Sequence, residues 1–524
     1  MESSLPSDDG PTHPEVEPFA VNLADRDHTE QDQGATSRRL SSLRRVAVRG
    51  GLVLVGSRLV MQIFTWAVTI QVSRLLLPID YAVMTTGMMI VGFCDLLADA
   101  GIGRALVYRQ DISNHDANEG FTLSLILSSS LYALIFFSSN WAAAFLNLPE
   151  AAAYLRVVAL SLLIVPFRTV VQAIVDKQLA LIKQSYVNVV SGVSQSLLLI
   201  VLVWRGYGYW SFAIVSLCGR LLELAILMKG SGWVPWPCRL TRHSREILTF
   251  GFHVSGASLL WFFYSNSDFA IVGRLSGPIA LGLYSLAFQL ITIPVQKLTS
   301  SFNQVSYPIF CRMKDDPDRV RAWYLRLVCL LGFFGIPAMI GLALVAPDAF
   351  QLVLGEKWMA AVPAFRIMSV AGAVMVISAS LPPLYNAFGR PDINLKYAGA
   401  CALLLPASFW IAGYWFGMIG VCYVWALFYP LIVIGLIQST RSITGFDSFD
   451  LLRALLPVLI GVGVMAVAVL AFQRFVGNSW ALPIRLGVQV FVGAGAYATY
   501  QWFVDHRIVT DLKIVFRELR GSAA

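Results

Sequence analysis

Long apolar runs, each near twenty residues, recur from residue 50 to residue 503, with short polar segments between them. A helix rises about 1.5 Å per residue, so about 20 apolar residues cross the ~30 Å hydrocarbon layer of a bilayer. Fourteen spanning helices are predicted on this pattern: 50–72, 81–98, 121–139, 151–171, 186–204, 209–228, 248–268, 279–298, 325–346, 360–382, 395–413, 416–437, 453–472 and 482–503. The tightest connection is at Gly413-Tyr414-Trp415-Phe416. No soluble packing keeps so many runs of this length off its surface. The expected fold class is all-α and polytopic, with two pseudo-symmetric six-helix bundles plus two C-terminal helices.

Composition narrows the function classes. Of 524 residues, 57% are hydrophobic and 13% charged, about half the charged share of a soluble chain. Mean hydropathy is +0.67. A soluble enzyme, a nucleic-acid binder and a disulfide-stapled secreted protein are excluded. Residues 1–45 differ from the rest: acidic residues from Glu2 to Asp32 alternate with prolines and glycines, the composition of a disordered tail. Basic residues follow, from Arg38 to Arg49. Ser37-Arg38-Arg39 superficially resembles a twin-arginine export signal. The next run is a full-length span containing Arg58, with no small-residue cleavage site, and the bland reading is stronger. The expected division is 1–45 for the tail, 46–228 and 229–437 for the bundles, and 438–524 for two extra helices and a basic tail.

The net charge of +8 is first a topology signal, because cytoplasmic segments of membrane proteins collect Lys and Arg. With the N-terminus in the cytoplasm, cytoplasmic segments hold twenty-four basic residues. Outer loops hold five: Arg74, Arg205, Arg274, Lys357 and Arg474. Both termini are therefore expected in the cytoplasm. The longest loops, about 20–26 residues, are cytoplasmic and leave no room for an extramembrane catalytic domain.

The two halves repeat. Gly51, Gly56, Leu59, Val72, Arg74, Leu75, Pro78 and Ile79 recur, 200 positions later, as Gly251, Gly256, Leu259, Val272, Arg274, Leu275, Pro278 and Ile279. The first and seventh spans run in the same direction, so the halves are parallel repeats about an axis along the membrane normal, as in some secondary transporters.

Several chemistries are missing. The seven cysteines form no CxxC pair, and the six histidines form no HExxH. No phosphate-binding GxxxxGK[ST] loop occurs. No cofactor and no metal are expected. Polar residues instead fall inside the spans at helical spacing. The stripes are Arg58, Gln62, Thr65 and Thr69; Asn188, Ser191 and Gln195; Ser216, Arg220 and Glu223; and Ser285, Gln289, Thr292 and Gln296. Asp268 closes the seventh span after Ser265-Asn266-Ser267, while Arg168 and Arg366 lie near span ends. Such groups are costly in lipid and face a wet cavity or one another. Helix–helix hydrogen bonding is the competing account of the Ser and Thr positions. Arg58 is read as a cavity residue. Arg220 and Glu223, three apart, are read as neutralising each other, and Asp268 as an ion-coupling site or an anchor for an arginine.

Three stretches carry a family resemblance. They are Gly273-Arg274-Leu275-Ser276-Gly277-Pro278 with Leu281-Gly282-Leu283-Tyr284, Ser306-Tyr307-Pro308-Ile309-Phe310, and Leu354-Gly355-Glu356-Lys357-Trp358 with Ala361-Val362-Pro363. With Asn386-Ala387-Phe388-Gly389-Arg390 they resemble the Wzx-like polysaccharide transporters of the multidrug/oligosaccharidyl-lipid/polysaccharide exporter superfamily, nearest the colanic-acid exporter type. The resemblance covers about 45–505; the acidic tail is outside its usual pattern. It implies a 12- or 14-helix fold with a V-shaped cavity, in a bacterial inner membrane. The implied cargo is an undecaprenyl-diphosphate-linked oligosaccharide moved to the periplasmic leaflet, with membrane lipids, a polysaccharide polymerase and export machinery as partners and no nucleic acid. On that reading Arg58, Gln62, Thr65, Thr69, Asn188, Gln195, Arg220, Gln289, Gln296 and Arg366 line the cavity, and Asp268 and Glu223 couple an ion. A cation-coupled drug antiporter of the same superfamily is the alternative, and a membrane glycosyltransferase or polymerase is a weaker one.

Overall fold

The computed structural model describes residues 64–108, 113–177, 181–229, 232–441, 445–446, 448–475 and 480–504. Residues 67–524 form one compact unit, and Met1–Trp66 form another, of which only the helical residues 64–66 are described. Arg58 and Gln62 lie outside the described residues. Among those described, every regular element is helical. After a helical stretch over 67–75 come α1 (Pro78–Asp99), α2 (Ile102–Tyr108), α3 (Asn114–Phe145), α4 (Glu150–Val158), α5 (Val165–Lys177), α6 (Leu181–Trp204) and α7 (Trp210–Met228). The second half holds α8 (Arg242–Ser276), α9 (Pro278–Met313), α10 (Pro317–Ala349), α11 (Val362–Ser378), α12 (Leu381–Ala387), α13 (Pro391–Tyr423), α14 (Tyr429–Ser439), α15 (Ser448–Phe475) and α16 (Leu482–Val504).

Ten of the described helical segments are long and apolar enough to cross a membrane, so the chain is an all-α, multi-pass membrane protein. Fourteen runs were expected, and the ten are counted among the described residues alone. The run 50–72 starts before the described residues. The long helices α8 and α16 are not among the ten. The segment Pro391–Ser439 counts once although the chain reverses inside it. At Gly417 the backbone takes φ 60°, ψ −146°, a region open essentially to glycine alone. A Cβ on Gly420 would collide with the Ala412 carbonyl. Residues eight apart on a straight helix stand about 12 Å apart, so the two arms fold back on each other.

The repeat has a structural reason. Pro78 and Pro278 are each the first residue of a helix, where a missing N–H costs nothing and φ is preset. Gly277 (φ 85°) makes the break before the second. The arginines of the repeat act across the chain. Arg74 donates to the Leu352 and Val353 carbonyls at 2.6 and 2.5 Å, just beyond α10. Arg274 donates to the Phe145 carbonyl at 3.2 Å, at the end of α3, and lies over the Phe145 ring. Each caps carbonyls that a helix end leaves unpaired. Lys357 returns the favour to the Arg74 and Leu76 carbonyls, both at 2.6 Å, and the fully buried Trp358 donates to the Ser73 carbonyl at 2.8 Å. These are residues of the Gly355-Glu356-Lys357-Trp358 motif.

Helix α1 is approached closely at both ends. A Cβ on Gly282 would strike the Pro78 carbonyl, and one on Gly251 the Ala100 carbonyl. Glycine at both positions lets α9 and α8 close onto α1 over its length of about 33 Å. The segment 232–241 is non-helical and is strapped along α3: Trp233 Nε1 donates to Asn118 at 3.1 Å, Cys238 N to Thr122 at 3.0 Å, and Thr241 Oγ1 to the fully buried Glu119 at 2.5 Å.

Candidate functional site

Two cavities flank α8 and share its residues Ser258 and Trp261. The first, of about 1010 Å³, lies among α1, α2, α5, α7 and α8 and is charged. Asp95 and Asp99 stand one turn apart on α1, Arg168, Gln172 and Asp176 are successive turns of α5, and Arg220 reaches in from α7. Arg220 holds Asp95 through both of its terminal nitrogens. Arg168 pairs with Glu223 at 3.1 Å. Thr169 donates to Asp99 at 2.9 Å and Gln172 to Asp176 at 2.7 Å. Arg104 adds a third cation to the lining. Carboxylates thus match the arginines in number; Arg104 and Arg168 are both exposed, the Arg168 side chain at 47%.

The second cavity, of about 590 Å³, lies among α1, α8, α9, α11, α13 and α14, and among the described residues that line it none is charged. Gln289, Thr292 and Gln296 present one face of α9 to it. Asn266, Tyr264, Tyr397 and Trp425 supply amide, hydroxyl and aromatic surface opposite. Trp425 belongs to a π-helical turn, Val424–Phe428, ahead of Pro430. A proline lacks the N–H that a regular helix needs there, and such turns recur where a side chain is re-aimed. Trp425 Nε1 donates to Asp268 at 2.9 Å, Tyr284 Oη donates to the same carboxyl oxygen at 2.6 Å, and Phe269 N donates to the other at 2.9 Å. Asp268 is fully buried behind the cavity wall and does not line it.

The sequence-derived candidates sort as follows. Gln289 and Gln296 line the uncharged cavity and Arg220 the charged one. Arg220 and Glu223 do not neutralise each other: they engage Asp95 and Arg168, because the two side chains leave α7 toward different neighbours. Arg168 lines the charged cavity. Thr65 and Thr69 are helical; Thr69 is not among the residues that line these two cavities, and its carbonyl accepts from Ser73 at 2.8 Å. Asn188 is exposed on α6, and Gln195 packs on Gly219 of α7. Arg366 is exposed and donates to the Ala343 carbonyl at 3.1 Å. Sequence reasoning passed over Asp95, Asp99, Arg104, Asp176 and Trp261. A signal existed for the first two, acidic residues one turn apart at the end of an apolar run.

Known proteins resemble this chain. The model of the family described as "Polysaccharide biosynthesis protein" matches residues 71–363. The teichuronic acid biosynthesis protein TuaB of Bacillus subtilis is 25% identical over 77% of this chain and 84% of its own. The lipopolysaccharide biosynthesis protein WzxC of Escherichia coli is 23% identical over 65% and 70%. Among solved structures, the lipid II flippase MurJ in an inward closed conformation superposes with a TM-score of 0.72 over 89% of this chain and 99% of that one, at 14% identity; that likeness is one of fold. The family match extends over more than half of the chain, and the chain belongs to the polysaccharide biosynthesis protein family.

Proposed function

We propose that the protein is a flippase that carries an undecaprenyl-diphosphate-linked oligosaccharide across the bacterial inner membrane for exopolysaccharide, capsule or O-antigen synthesis. The observation that carries this reading is the pairing of a charged cavity with an uncharged, amide- and aromatic-lined one across a single helix. A diphosphate headgroup needs cations in a low-dielectric setting, and a sugar needs neutral hydrogen-bonding partners and ring faces. The polyprenyl tail stays in lipid. The names of the relatives and the MurJ-like fold support the same cargo class. The bundles 46–228 and 229–437 rock against each other around the cavity, with both termini cytoplasmic. Transport rather than catalysis is the role, and a polymerase and export machinery are the expected neighbours.

Arg168 is the residue we assign to the diphosphate. The cargo displaces Glu223 from it, trading one ion pair for another. Arg168→Ala is expected to weaken binding of undecaprenyl diphosphate about ten- to a hundred-fold, the worth of a charge-assisted hydrogen bond. Arg168→Lys keeps part of it, since lysine retains charge without the planar fork. Arg58 is proposed as a second contact and Asp268 with Glu223 as coupling groups. Undiminished binding by purified Arg168→Ala protein removes this assignment. Asp99 and Asp176, held here by neutral partners, also suit a cationic cargo. A drug antiporter is the correct reading if a lipophilic cation binds and undecaprenyl diphosphate does not.

A further inference from the structure

The uncharged cavity has a more specific meaning, which rests on the flippase reading. We propose that it seats the sugars nearest the diphosphate, that those sugars are electrically neutral, and that Trp261 stacks on the first of them while Gln289 and Gln296 bind their hydroxyls. Trp261 lines both cavities, so its ring stands where the phosphate part of a cargo gives way to the glycan. It is half exposed, at 51%, and leaves its indole face available. An aromatic face packs well on the C–H face of a sugar ring and tolerates an adjacent polar group. Gln289 and Gln296 lie two turns apart on α9, and neither amide has a hydrogen-bond partner among the described residues. An amide both donates and accepts, which matches a hydroxyl.

Charge is the selective feature. A uronic acid in this cavity buries a carboxylate against Met, Thr, Ser, Asn, Gln and aromatic residues, with no cation among the described residues that line it. Burying an unpaired charge is strongly unfavourable. The volume suits a short glycan segment and is within the range of small-molecule sites.

The test uses the full chain in detergent or nanodiscs and three probes: undecaprenyl diphosphate, the same lipid bearing a neutral disaccharide, and the same lipid bearing a disaccharide whose first sugar is a hexuronic acid. The unmodified protein is expected to bind the neutral glycolipid about tenfold or more tighter than the uronate. Trp261→Ala is expected to lose about tenfold more for the neutral glycolipid than for the sugar-free lipid. Trp261→Tyr retains most of the affinity, which separates stacking from misfolding. Gln289→Lys is expected to turn the preference toward the uronate. Equal affinities for the two glycolipids, or equal losses for sugar-bearing and sugar-free probes in Trp261→Ala, overturn the proposal while leaving the flippase reading in place. Failure of the unmodified protein to bind undecaprenyl diphosphate overturns both.

Discussion

Asp268 shows what a single residue contributes and what sequence can say of it. Its position, an acid ending an apolar run, was visible in the chain. Its partners were not: Tyr284 and Trp425 stand 16 and 157 residues away, and among the described residues no arginine pairs with it. Three donors converge on its two oxygens. Asparagine offers a single acceptor oxygen and turns an N–H₂ toward the remaining donors. Asp268→Asn is therefore expected to destabilise the protein by about 1–3 kcal/mol, the cost of buried unsatisfied groups, read as a lowered thermal midpoint. Tyr284→Phe removes one donor cleanly and is expected to cost less. An Asp268→Asn protein that melts like the parent but transports poorly assigns Asp268 to coupling instead of anchoring. Arg220 carries the same lesson: its mid-span position was legible, while its engagement with Asp95 depends on the crossing of α1 and α7, which no local pattern encodes.

Elements were legible wherever hydropathy and breakers agreed. The predicted reversal at 413–416 is present at Gly417, where the glycine conformation is required. Gly417→Ala is expected to cost about 1–3 kcal/mol of backbone strain, measured as reduced thermal stability, while Gly435→Ala, in a helix with open space around it, is expected to be neutral or slightly stabilising. The 200-residue repeat was legible as identities, and its meaning emerges from packing. Arg74 and Arg274 each reach the end of a helix in the other half of the chain, which makes the two contacts reciprocal. Both side chains are exposed, so each is worth only about 1 kcal/mol after solvent screening, a magnitude suited to a contact that opens. The double variant Arg74→Ala/Arg274→Ala is expected to expose the cavity from this end. The readout is thiol labelling of a Ser265→Cys reporter in a background lacking the native cysteines. Faster labelling than in the reporter alone is the expected outcome, and an unchanged rate shows that the Lys357–Trp358 contacts hold this end closed by themselves.

At the scale of the whole molecule, charge and hydropathy sufficed for a multi-pass helical protein, because the cost of unpaired backbone in lipid leaves few architectures. The polar stripe of the eighth run, Gln289 to Gln296, does face a cavity, since a bundle with a wet interior turns its polar faces inward. The stripe with Asn188 and Gln195 lines neither of these cavities: Asn188 is exposed and Gln195 packs on α7; the choice is made by neighbours that the stripe cannot see. The division into a charged and an uncharged cavity was hidden altogether, because α8 separates them only after folding. Lipid-linked cargo is nonetheless the reading that unites both cavities. Its most direct test is transport itself, in vesicles holding the purified full-length protein and a fluorescent undecaprenyl-diphosphate-linked neutral disaccharide in both leaflets, with a quencher added outside. The account predicts that the inner-leaflet pool becomes quenchable in protein-containing vesicles and much more slowly with Arg168→Ala; an inner pool that stays protected, as in protein-free vesicles, contradicts it.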